Sequence, residues 1–73
     1  MSDPGVVVYV GTGCHLCEDA TAMLDALGVA YRTVTGDERY RERIPVVEID
    51  GRIVTEGRVS VRAVRAALKR GRR

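Results

Sequence analysis

The sequence predicts an α/β domain whose elements follow the order β-α-β-(α)-β-β-α within one mixed sheet. Three observations predict it: the continuous apolar run "VVVYV" at Val6–Val10, an apolar periodicity of three and four residues after it, and "IPVVEIDGRIVTE", where two short apolar runs flank Asp50-Gly51. The first run is β-branched and is closed by "GTG", which suits a central strand buried on both faces.

Each later element has its own local reason. Leu16, Ala20, Met23, Leu24 and Leu27 recur at helical spacing and Gly28 stands where a helix ends in a left-handed residue, so a helix of about fourteen residues starts at the cysteines. "VAYRTV" alternates loosely and is rich in strand formers, completing a unit the size of a parallel right-handed crossover. "TGDERYRER" is polar with only Tyr40 to anchor it, and reads as a short, poorly buried helical turn or loop. Asp50-Gly51 tolerates positive φ and favours a tight two-residue hairpin between antiparallel strands. Ser60 can cap a last helix in which Val61, Val64 and Leu68 form an apolar stripe, Ala63, Ala66 and Ala67 permit close approach to a sheet, and "GRR" frays.

The chain of 73 residues fits a single domain spanning 1–73, and one of this size buries only about 60% of the surface its unfolded form exposes. "MSDPG" carries no positive charge before "VVVYV", and five apolar residues fall short of a signal core or a membrane span, so a cytoplasmic protein is expected. In that reducing compartment two cysteines point to reactive or metal-binding chemistry rather than a permanent staple. The formal net charge is only +2, but Arg58, Arg62, Arg65, Lys69, Arg70, Arg72 and Arg73 crowd the last segment, which has no acid after Glu56. A solvated helix face whose cations suit the negative end of its dipole accounts for such a run. No aromatic residue interleaves these cations, which argues against a nucleic-acid surface.

Cys14 and Cys17 are the only cysteines, and they sit where the first strand hands over to the first helix. That position places Cys14 beside unpaired amide N–H groups and the positive end of the helix dipole, both of which favour thiolate. An ordinary thiol is only about 3% ionised at neutral pH, so the junction makes a nucleophile of a residue that is otherwise a weak one. Cys17, one turn inward, is placed to attack a mixed disulfide formed at Cys14. His15 is a tuning residue that adds a cation when protonated, whereas Glu18 and Asp19 suit the helix start but oppose the thiolate if they approach it. Two other roles remain open at this point: simple packing of small cysteines, and half of a zinc or iron–sulfur site shared between two chains, since one chain offers only these two sulfurs and His15.

The segments "YVGTGCHLC", "IPVV", "IDG" and "EG", in that order over nearly the whole chain, resemble a glutaredoxin of the thioredoxin superfamily. The resemblance is strongest to short bacterial glutaredoxin-like proteins in which "GCHLCE" opens the first helix. It implies a thioredoxin-like, glutaredoxin-type mixed sheet, with Cys14 as exposed nucleophile and Cys17 as its partner. It further implies that Pro45 is held in cis opposite the cysteines, with the Ile44 backbone free to pair with an extended substrate. Glu56 and Gly57 fall where the family grips glutathione. This chain departs from the family there: Gly11 replaces a lysine, Arg43-Ile44-Pro45 replaces Thr-Val-Pro, Ser60 follows where an acid is common, and Glu56 repels a carboxylate. Arg43 and Arg58 are the substitute cations.

The expected activity is thiol-disulfide oxidoreduction by a monomer that needs no bound cofactor, reducing a disulfide-containing protein or a small thiol substrate. Glutathione, another low-molecular-weight thiol or a flavoprotein reductase would supply the electrons. The alternative from a different class is a metal or iron–sulfur cluster carrier, or a passive adaptor, on the same scaffold.

Overall fold

A computed structural model describes residues 5–71. It contains β1 (Val6–Val10), α1 (His15–Ala26), β2 (Arg32–Thr35), β3 (Val46–Ile49), β4 (Arg52–Glu56) and α2 (Val61–Gly71), with a single 3-10 turn at Glu38–Tyr40 between β2 and β3. The strands form one sheet in the order β2-β1-β3-β4, so β1 is central as its continuous apolar sequence predicts. β1 pairs parallel with β2 and antiparallel with β3, and β3 pairs antiparallel with β4 through a register irregularity at Val47/Glu48.

Local chemistry fixes the joints. Asp50 (φ 53°) and Gly51 (φ 82°) both adopt positive φ, which gives the β3–β4 hairpin a twist compatible with its strands. The Asp50 carboxylate also accepts the Gly5 N–H at 3.1 Å, tying the hairpin to the start of β1. Ser60 Oγ accepts the Ala63 N–H at 3.1 Å and caps α2 as expected.

Because strand side chains alternate, β1 feeds two cores. Val6 and Val8 join Val47 and Ile49 of β3, Leu24 of α1, and Val64 and Ala67 of α2. On the other face Tyr9 packs with Val46 and Tyr40, flanked by Val7, Val34 and Ile44. The core contacts place both long helices on the first face, whereas Tyr40 in the 3-10 turn reaches the second.

Two residues, Leu16 and Val61, depart from the sequence expectations, whereas Tyr40 holds to them. The segment around Tyr40 is short, helical and otherwise largely exposed, and Tyr40 anchors it as expected: it is buried at 7% exposure because its ring meets that of Tyr9 edge-on with centroids 4.7 Å apart. Leu16 and Val61, assigned to apolar stripes, are each 41% exposed, since each begins its helix ahead of the turns that meet the sheet. The stripe of α2 runs instead through Val64, Ala67 and Leu68. The frayed "GRR" lies largely beyond the described residues, α2 extending to Gly71.

Candidate functional site

The turn after β1 delivers Cys14 to the start of α1. Gly13 has φ +63°, a conformation that an L side chain rarely adopts and that lets the chain turn sharply into the helix. Cys14 is then extended (φ −105°, ψ 105°) and is itself the N-cap of α1. Its carbonyl accepts the Glu18 N–H at 3.2 Å and its Sγ accepts the Cys17 N–H at 3.1 Å. Sulfur thus fills the role usually taken by the oxygen of Ser, Thr, Asp or Asn.

Cys14 and Cys17 are joined as a disulfide, with Cα atoms 5.2 Å apart. The two sulfurs differ in access: Cys14 is half-buried, whereas Cys17 lies in the interior at 4% exposure. His15 between them extends into solvent, its side chain 96% exposed with Nδ1 3.9 Å from Glu18 Oε1. It is a neighbour of the pair along the chain but does not line the interior around it.

The residues expected opposite the cysteines come together. The Ile44–Pro45 bond is cis, Pro45 is fully buried and Ile44 is half-buried. The Gly57 N–H is shared between the carbonyls of Pro45 (2.9 Å) and Arg43 (3.3 Å), which fastens the cis-proline segment to the end of β4. Among the described residues the Ile44 N–H and C=O make no hydrogen bond, so this stretch of backbone is open for pairing. Glu56 is held by Arg43, with Nε 2.7 Å from Oε1.

Gly11, the residue in place of the lysine, stands against this segment. A Cβ built there would lie 2.5 Å from Ile44 Cδ1, so any side chain at position 11 would have to displace the Ile44 methyl. The close approach ties the end of β1, three residues before Cys14, to the residue preceding Pro45.

Leu16, which lies between the cysteines in the chain, joins Asp19, Ala20 and Met23 of α1 in facing Arg58 and Val59 across a cleft of about 320 Å³. Sequence reasoning marked Arg58 only as a substitute cation and did not foresee that Leu16, between the cysteines, borders a cleft. It also missed Glu48, which accepts hydrogen bonds from Tyr9 (3.2 Å, Oε1) and Tyr40 (3.3 Å, Oε2). Burial is the main cause that raises the Tyr9 phenol above its ordinary pKa, and the Glu48 carboxylate adds to it. The signal available was one acidic residue within an otherwise apolar β3. No group of three His, Cys, Asp or Glu side chains among the described residues is close enough to hold a metal ion, and no described helix is long and apolar enough to cross a membrane.

A four-stranded mixed sheet with a cysteine pair opening the first helix and a cis-proline leading into the third strand defines a thioredoxin-like fold of the glutaredoxin type. The family model described as Glutaredoxin-like domain (DUF836) matches residues 5–69, and the chain belongs to that family. It is also similar to the X-ray structure of Northeast Structural Genomics target protein XcR50 from X. campestris, with a TM-score of 0.75 and 27% identity, over 90% of this chain and 97% of that one. Comparison with curated proteins gives no match.

Proposed function

We propose that this chain is a thiol-disulfide oxidoreductase that works through the Cys14/Cys17 dithiol. The observation that carries the reading is the Cys17 N–H directed at Cys14 Sγ from the first turn of α1. Donors at a helix start stabilise a thiolate more than a thiol, so the same groups that cap the helix activate Cys14 once the pair is reduced. The Cys14 thiolate attacks one sulfur of a substrate disulfide, forms a mixed disulfide and expels the other sulfur as thiolate. Cys17 then attacks Cys14 Sγ, closes the Cys14–Cys17 disulfide and releases the second substrate sulfur, so two electrons pass to the substrate. Half-buried Cys14 suits the attacking role, and interior Cys17 suits the resolving one.

Ile44, Pro45 and Gly57 form the substrate-presenting edge in this reading, the unpaired Ile44 backbone accepting an extended segment beside its disulfide. His15 tunes the nucleophile from solvent, and Glu56 sets selectivity by disfavouring a carboxylate. Substrates are disulfides of proteins or small thiols. Glutathione, another low-molecular-weight thiol or a flavoprotein reductase restores the dithiol, placing the protein in redox homeostasis of the cytoplasm.

The test is trapping. Cys14→Ser abolishes disulfide reduction, and Cys17→Ser accumulates a mixed disulfide at Cys14 that mass spectrometry detects. Alkylation of Cys14 in the reduced Cys17→Ser protein shows an apparent pKa well below that of a free thiol. Full activity in both variants would overturn the proposal. Stoichiometric zinc or iron in the purified protein, lost on mutating either cysteine, would favour the carrier alternative.

A further inference from the structure

The dipole of α2 accounts for Lys69 and Arg70 in its last turn, where cations are favoured, but it disfavours Arg62 in the first turn, which holds no acid. Arg58 precedes that helix end. Among the described residues Arg58, Arg62, Arg65 and Lys69 make no ion pair, and all four are exposed. At 100° per residue Arg62, Arg65 and Lys69 share one face of α2, opposite buried Val64 and Ala67. A helix face that needs only solubility works as well with mixed signs, and this one carries cations alone.

The cationic stripe starts at the redox end of the molecule. Arg58 and Val59 share the cleft with Leu16, which lies between the cysteines and is 41% exposed, as is Val61 one residue before Arg62. Asp19 is the one acid lining the cleft and Arg58 the one cation, so the excess of positive charge lies beyond the cleft, at Arg62, Arg65 and Lys69 on α2. A cleft bordered by apolar Leu16, which lies between Cys14 and Cys17 in the chain, with cations leading away from it, matches a partner that presents acidic residues next to its disulfide.

We infer that Arg58, Arg62 and Arg65 form a docking surface that selects disulfide-bearing protein partners with acidic flanks. The inference rests on the oxidoreductase reading and names its substrate class. The stripe acts on the encounter rather than the exchange: it raises the local concentration of acidic partners and orients them so that the disulfide meets Cys14. Local helix stability is sacrificed at Arg62 for that purpose.

The test compares second-order rates at which pre-reduced protein opens three disulfides: a peptide loop flanked by Asp and Glu, the same loop flanked by Lys and Arg, and neutral hydroxyethyl disulfide. The acidic peptide should react about tenfold faster than the basic one at about 0.01 M salt, with the ratio approaching one at about 1 M. The exposed double variant Arg62→Glu/Arg65→Glu should invert the ratio, each rate being normalised to the neutral disulfide. A ratio near one in wild-type protein that still reduces the neutral disulfide would overturn the docking surface alone. A preference for the acidic peptide that survives charge reversal would also overturn it, by placing the discrimination elsewhere. Failure to reduce the neutral disulfide would overturn the oxidoreductase reading beneath it.

Discussion

Arg43 Nε lies 2.7 Å from Glu56 Oε1, so the cation that precedes the cis-proline segment and the carboxylate at the end of β4 neutralise one another beside the cis bond. Both side chains are about half exposed, at 50% and 43%, and an ion pair of this kind contributes only about 0.2–1 kcal/mol. Its consequence is for recognition. While paired, Arg43 is a poor partner for a substrate carboxylate, and Glu56 is less repulsive than an isolated acid.

Glu56→Gln therefore should leave thermal stability nearly unchanged while lowering the KM for a glutathionylated peptide several-fold, because the repulsion is removed and Arg43 is released. Arg43→Gln should raise the same KM. Steady-state kinetics of the two variants beside wild type checks this. Equal KM values would show that no carboxylate approaches this edge.

Alkaline titration should separate the tyrosines by their surroundings. Tyr9 is raised first by burial and then by Glu48, and Tyr31 is raised first by its hydrogen bond to Asp25 Oδ1 at 2.9 Å. A phenol whose folded pKa exceeds its unfolded value contributes stability that is fully present below about pH 10 and is lost as pH rises through the folded pKa. Denaturant unfolding followed upward from pH 9 should thus show falling stability. Glu48→Gln should move the tyrosinate absorbance of Tyr9 only part of the way back, since burial remains.

Two leucines of α1 should respond oppositely to truncation. Leu24 is 0% exposed in the main core, and Leu24→Ala should cost about 2–5 kcal/mol, enough to unfold much of so small a domain. Leu16, 41% exposed at the cleft, should change stability by less than about 1 kcal/mol when replaced by Ala, while slowing reduction of peptide disulfides. Chemical denaturation distinguishes the two positions directly.

Much of the fold was legible because the decisive signals are local. Continuous β-branched residues at Val6–Val10 specify a strand covered on two sides, Asp50-Gly51 specifies the hairpin, and Ser60 with Ala63 specifies the start of α2. The cysteine spacing and its place after Gly13 were equally readable. The cis bond at Pro45 was not, since nothing in Ile-Pro itself sets the isomer, and it was expected only through family resemblance.

What escaped local reading depends on residues distant in sequence. Helical spacing put Leu16 and Val61 in the core, but burial of a helix face ends where the sheet beneath it ends, and spacing carries no record of that limit. Tyr40 was legible as the anchor of its polar stretch, but its partners, Tyr9 and Glu48, were not, because they come from two different strands.

The sequence by itself determined which segments become strands and helices, where they turn, and that a cysteine begins a helix, since each follows from the backbone preferences and side-chain pattern of a few adjacent residues. Tertiary structure alone decided that Glu56 meets Arg43, that Gly57 fastens the cis-proline segment, and that Arg58 borders the same cleft as Leu16. These relationships exist only once strand order and register bring together residues 12 to 42 positions apart, and no short-range preference encodes that assembly.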